Sequence, residues 1–221
     1  GTNPRSQEIA RRGFLCKALG EFLVPPTVLP VLIRAASSHG DDDELRVRLA
    51  AIEAIALLVE NTKTPGTDVS PELLALLLAN SENEDRKIAS RAVVGLATTG
   101  QVEATKRLEE MLGEAHHVDV YYNVATGLAR LGNAACLEMI EEMLDPATDR
   151  ALAEETNPNE RELKRLRILL NALRATRLLA LNNSQANLQS LQRAVEELQA
   201  GEKNPQVQIE AELTLQTLAN R

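Results

Sequence analysis

The sequence predicts an all-α fold, a solenoid of stacked helix pairs, and three observations carry that reading. Residues 91 to 144 repeat themselves at an offset of 32: RAVVGLATTG (Arg91 to Gly100) lies over NVATGLARLG (Asn123 to Gly132), and LEEML (Leu108 to Leu112) over IEEML (Ile140 to Leu144). Gly, Leu, Ala, Gly, Glu, Glu, Met and Leu recur unchanged, so a helix, a glycine turn and a second helix have been copied as a unit. A period of this size marks an architecture in which no unit buries its apolar face alone. The composition agrees: 44% of residues are hydrophobic but only 2% aromatic. Leu and Ala, both strong helix formers, dominate. Finally, no long stretch alternates Val, Ile, Thr or aromatic residues with polar ones, as a half-buried strand does.

Taken in order, the first unit (about 4–40) opens at Asn3-Pro4, a cap followed by a proline that fits the first helical position. Ile9, Phe14, Leu15, Ala18, Leu19 and Phe22 then recur at three- and four-residue steps. Pro25-Pro26 stops that helix at about Leu23. Thr27 is the expected cap of the next, which leaves Pro30 at its third position, where an N–H is unpaired anyway. That helix runs to about Ser38, and His39-Gly40 with Asp41-Asp42-Asp43 forms a loop. The second unit (44–82) holds RVRLAAIEAIALLVE, which matches Ala51 with Ala92, Ile55 with Leu96 and Ala56 with Ala97 at an offset of 41, and then the turn-rich insertion Asn61 to Asp68. Ser70-Pro71-Glu72 is a strong helix start: a cap, a proline, and an acid in the first turn.

Units three (85–115) and four (119–145) are the copied pair. Residues 146–158 read as a linker with one short helical turn near Arg150 to Glu154. In the fifth unit (159–201), Asn159 and Glu162 have the spacing of a capping box, opening a helix to Leu181 about 33 Å long. Asn182-Asn183 ends it, and Ser184 is the expected cap of a partner helix from Gln185 to about Ala200. Asn204-Pro205 starts a final helix (205–220). The expected organisation is thus one repeat domain over 1–221.

The turn ARLGNAACLEMIEEMLD (Ala129 to Asp145) resembles the HEAT-like repeats of many bacterial proteins, through Ala125, Leu128, Leu131-Gly132, Asn133, Ala134, Leu137, Ile140, Leu144 and Asp145. The match is good over units three and four, fair over unit two and loose elsewhere. The resemblance implies a right-handed superhelix of about five antiparallel helix pairs plus a terminal helix, first helices on the convex side and second helices lining a concave groove. Thr99 stands where that pattern has Leu before the glycine, and the linker after Asp145 interrupts the stack.

Composition also narrows function. The net charge is −8, which repels phosphate backbones unless basic residues are concentrated in one patch. No apolar run reaches the roughly 18 residues needed to span a bilayer. The chain starts at Gly1 without Met, which reads as a processed or engineered end. Cys16 and Cys136 are too few for a disulfide scaffold and read as reduced core cysteines. No GxSxG, HExxH, P-loop or GxGxxG occurs. His116-His117 with Asp119, beside Tyr121-Tyr122, is the most tempting metal cluster, but a polar loop packed on tyrosine explains it better. His39 with Asp41, Asp42 and Asp43 lacks the EF-hand spacing and reads as a solvated acidic loop. No cofactor or metal is expected.

Charge is distributed unevenly. Gln101 to Asp145 holds nine acids and three bases, −6 of the total −8, whereas Asn159 to Leu181 holds six bases and two acids. On the second helices of units three and four, Glu103, Lys106, Arg107, Glu110, Glu138 and Glu142 lie away from the Leu/Ile/Met stripes. If second helices line a groove, these six face it, and its acids would orient a basic segment. The expected function is therefore a non-catalytic scaffold for another protein. Two rivals follow from the same resemblance: a bilin-lyase-like or chaperone-like protein, and a nucleic-acid-binding protein of the alkylpurine DNA glycosylase kind. The second is disfavoured, since no Trp is present and the basic residues sit on one isolated helix.

Overall fold

The computed structural model describes residues 4–22, 24–37, 42–62, 69–114, 116–148 and 150–221, with no side chains described for residues 42 and 43. These form eleven α-helices and no strand among the described residues. In chain order they make five pairs and a final helix: α1 (Pro4–Gly20) with α2 (Pro25–Ala36), α3 (Asp42–Thr62) with α4 (Pro71–Ser81), and α5 (Arg86–Thr99) with α6 (Val102–Leu112). Then follow α7 (Val118–Arg130) with α8 (Leu137–Leu144), α9 (Pro158–Asn182) with α10 (Gln189–Gly201), and α11 (Pro205–Ala219). A 3₁₀ turn, Ala134–Cys136, leads into α8. The chain divides into two compact units, and the division falls inside α6, after Leu108.

In the first unit α1, α3 and α5 lie side by side as one layer, while α2 and α4 form a second layer seated against α3 and α5. Leu32, Ile52, Ile55, Leu58, Leu73, Leu77, Ile88 and Leu96 are fully buried in it. Each such side chain contributes about 1.5 to 3 kcal/mol of burial. Gly20 allows the closest approach of α1 to α3, since a Cβ there would stand 2.9 Å from the Cα of Ala54. The second unit repeats the plan. Here α7, α9 and α11 form the first layer, and α8 and α10 pack on each other and on α9 and α11. The fold is an all-α solenoid of helix pairs, because within each unit a pair covers its apolar faces with the next.

Helix starts follow local chemistry. Ser70 Oγ accepts the Leu73 N–H at 3.2 Å with Pro71 at the first position, and Asn204 Oδ1 accepts those of Gln206 and Val207 with Pro205 following. Three expected caps are corrected. Thr27 does not cap α2: the helix starts at Pro25, because a proline at the first position costs no hydrogen bond, and Thr27 lies inside the first turn. Pro30 is consequently inside the helix and leaves the Pro26 carbonyl without its helical donor. Asn159 does not cap α9; Asn157 does, accepting from Asn159 N–H at 2.9 Å and Glu160 N–H at 3.4 Å ahead of Pro158. Ser184 does not start α10, which begins at Gln189 after a turn. The expected loop residues His39 and Asp41, and most of the insertion after Asn61, lie outside the described residues.

Among the described residues the two glycines with left-handed backbone, Gly100 (φ 58°) and Gly132 (φ 72°), are those the internal repeat aligns. At Gly132 the turn is a Schellman motif: Asn133 N–H bonds the Leu128 carbonyl at 2.9 Å and Gly132 N–H bonds that of Ala129 at 3.0 Å. Thr99, the departure from the repeat pattern, is buried with its hydroxyl satisfied: it donates to the Leu96 carbonyl at 2.7 Å and accepts from Gln101 N–H at 3.3 Å.

Candidate functional site

Helical spacing places Glu103, Lys106, Arg107 and Glu110 along one side of α6, opposite the buried Ala104, Leu108 and Met111. Glu103, Lys106 and Glu110 are exposed. Arg107 is only 11% exposed: its Nε stands 3.3 Å from Ser81 Oγ and 3.9 Å from Glu82, at the end of α4. In the second unit, Glu138 and Glu142 are one turn apart on α8, and their situations differ. Glu138 is exposed. Glu142 accepts from the Tyr122 hydroxyl at 2.9 Å and pairs with Arg150 at 3.3 Å, so it ties α8 to α7 and to the linker. Burial, and then the hydrogen bond to Glu142, push the Tyr122 phenol well above its ordinary range. It stays protonated and donating at any physiological pH.

The histidine cluster is a structural clamp. His117 is the N-cap of α7, its Nδ1 accepting Asp119 N–H at 3.2 Å while Nε2 faces the Glu154 carboxylate at 3.2 and 3.3 Å. With Nδ1 accepting, Nε2 is the ring nitrogen that donates to Glu154. Lys164 of α9 bridges Asp119 at 3.2 Å and Glu155 at 3.3 Å. His116 pairs with Glu114 at 2.9 Å, and its ring meets Tyr121 edge-on at 5.8 Å. Tyr121 donates to the Glu114 carbonyl, and the Arg150 guanidinium lies 5.3 Å over its ring. Among the described residues no three His, Cys, Asp or Glu side chains are placed to hold a metal ion. Both cysteines are free and buried; burial raises the Cys16 thiol and pushes that of Cys136 up to about 12, so Cys136 stays protonated at neutral pH. The contributions of Arg150, Glu154 and Glu155 escape the sequence reading, since only tertiary placement brings the linker onto α7 and α9.

Four of the six cations of α9 are bonded within the second unit, three of them to carboxylates. Arg161 donates to the Leu152 carbonyl at 2.6 Å, and Lys164 is held as above. Arg165 bonds Glu162 at 2.9 Å and Glu202 at 2.7 Å. Arg177 bonds Glu210 at 2.6 Å and Thr214 at 3.0 Å. Arg167 and Arg174 remain exposed. At the other end of α9, Asn182 Nδ2 donates to the Arg130 carbonyl and Asn183 Nδ2 to the Gly132 carbonyl, both at 2.8 Å, satisfying the end of α7.

Stacked helix pairs with charged, solvent-facing outer sides define an α-helical repeat protein of the solenoid class. The chain is similar to a solved structure, a designed armadillo repeat protein, at 18% identity and a TM-score of 0.34, over 86% of this chain and 99% of that one. The sequence matches no family model and no curated protein. No helix among the described residues is long and apolar enough to cross a membrane.

Proposed function

We propose that the chain is a non-catalytic protein-binding scaffold and that acids on its second helices receive a basic segment of a partner protein. The observation that supports this reading is the exposure of Glu110 and Glu138, on the parts of α6 and α8 that belong to the second unit, away from the buried stripes of those helices. Glu142, engaged with Tyr122 and Arg150, shapes the flank of that surface from a largely fixed position. Exposed carboxylates act mainly on encounter rate and orientation, so binding through them weakens as salt rises.

The test is a labelled Lys/Arg-rich peptide titrated against the wild-type chain and the double variant E110K/E138K, followed by fluorescence anisotropy. Both substituted side chains are exposed and lie in the second unit, so helicity and melting temperature should hold. We expect about a tenfold weaker affinity, the size of a like-charge penalty at an interface. Equal binding by both proteins would remove the acidic surface as the docking site.

A further inference from the structure

We infer that the outer face of α9, with the adjoining edge of α11, is a second docking surface, for an acidic amphipathic helix of a partner protein. It lies on different residues from the acidic surface of α6 and α8 and does not rest on that reading.

The helix α9 carries two apolar faces. One, with Leu169, Leu173, Thr176 and Leu179, is buried in the second unit. The other runs Leu163, Arg167, Leu170, Arg174, Leu178, Leu181, at steps of four, three, four, four and three residues. That is the spacing of a seam that receives another helix, because side chains so spaced form one stripe along the axis. Yet most of the seam faces solvent: Leu163 is 61% and Leu181 71% exposed, Leu178 is exposed as well, and Leu170 at its centre is half-buried. Alongside it, α11 presents Ile209 and Leu213, 59% and 45% exposed. The bonds from Arg177 to Glu210 and Thr214, and from Arg221 to the Asn183 carbonyl, set the two helices in parallel register. This puts the Leu170–Arg174 stretch abreast of Ile209–Leu213, with the Arg177–Glu210 pair between the two helices. An apolar strip of this kind, flanked by polar residues, is what a docking groove offers an amphipathic helix.

The charge of the occupant follows from which cations are used. Arg161, Lys164, Arg165 and Arg177 are bonded within the unit, whereas Arg167 and Arg174 form no ion pair among the described residues and stand in the seam itself. A partner helix that buries the leucines lies against both guanidiniums and must bring carboxylates to them, since an unpaired buried charge is heavily penalised. A second copy of this chain is poorly suited: antiparallel self-pairing about the middle of the seam sets Arg167 against Leu178 and Arg174 against Leu170, so both guanidiniums would be covered with no carboxylate of the seam to meet them. An anionic membrane is poorly suited too, because the chain as a whole carries −8.

The experiment uses the full chain and three synthetic helices sharing Leu at heptad a and d positions. One has Glu at the flanking positions, one has Lys there, and one has Glu there but Ala in place of Leu. Fluorescence anisotropy should show the Glu–Leu helix binding at least about tenfold more tightly than either counterpart. In R167E/R174E the preference between Glu and Lys helices should invert, with the melting temperature unchanged because neither arginine forms an ion pair among the described residues. L178S/L181S should lose binding of the Glu–Leu helix. Equal affinity for the Glu and Lys helices, or binding unaffected by R167E/R174E, overturns the proposal. So does a concentration-dependent dimer in sedimentation that L178S/L181S abolishes, which would make a second copy the occupant. Co-sedimentation with phosphatidylserine vesicles that R167E/R174E abolishes would assign the surface to lipid instead.

Discussion

At Gly132 one missing side chain serves two ends. Its left-handed backbone closes the Schellman turn after α7, and a Cβ there would stand 2.6 Å from the Asn182 carbonyl oxygen at the end of α9. That oxygen is backbone and cannot swing aside, while Asn182 and Asn183 both hold carbonyls at this turn. Gly132→Ala should therefore cost about 2 to 4 kcal/mol, combining left-handed strain with overpacking. In a thermal melt this is a drop of roughly 5 to 10 °C. Gly13→Ala is the matched control, because its Cβ would meet Ala50 at an ordinary 3.9 Å inside a helix. There alanine should be neutral, or stabilising by up to about 1 kcal/mol through propensity. Equal melts for the two variants would mean that the α7–α9 turn is looser than its hydrogen bonds indicate.

Among the elements, α9, α10 and α11 are joined by one carboxylate. Glu202, at the end of α10, accepts from Arg165 of α9 at 2.7 Å and from the N–H groups of Lys203 and Asn204 at 2.7 and 2.8 Å, just before α11 begins. The Arg165 hydrogen bond, followed by those backbone N–H groups, holds its pKa below the ordinary glutamate value of 4.5. A depressed folded-state pKa means the unfolded chain takes up the proton first. The stabilisation is then fully present above 4.5 and is lost as pH falls through the lower folded value. Glu202→Gln should be less stable than wild type by about 1 to 2 kcal/mol at neutral pH, and the gap should close under acid, as read by urea unfolding across that range. A constant gap down to strong acid would mean packing, not charge, sets the effect. Such ties are what the sequence hides. Starts like Ser70-Pro71 and Asn204-Pro205 are legible because cap and proline are neighbours. Asn157-Pro158 carries the same signal but competes with the capping-box spacing of Asn159 and Glu162, and Glu162 instead pairs with Arg165. In the candidate site, helical period is enough to place Glu103, Glu110 and Glu138 outward. That Glu142 is taken by Tyr122 and Arg150 depends on a linker fold with no local signature.

For the whole molecule, the question is whether its charge permits a nucleic-acid role, the rival that the basic stretch of α9 keeps in play. The chain carries −8, and four of the six cations between Asn159 and Leu181 are bonded within the second unit. Each phosphate neutralised on duplex DNA contributes about −0.9 to the slope of log K against log salt. Two exposed arginines, Arg167 and Arg174, thus limit the slope from this helix to roughly −2, where specific binders reach several times that. The expected outcome is no retarded duplex in a gel-shift assay at about 0.1 M salt. Any weak shift at lower salt should vanish in R167E/R174E. A shift that survives moderate salt with a steep slope would require a basic surface assembled elsewhere, and would count against the proposed protein recognition. In the second unit Lys164, Arg165 and Arg177 of α9 are tied to carboxylates of neighbouring elements, so this helix leaves Arg167 and Arg174 exposed to meet a phosphate backbone.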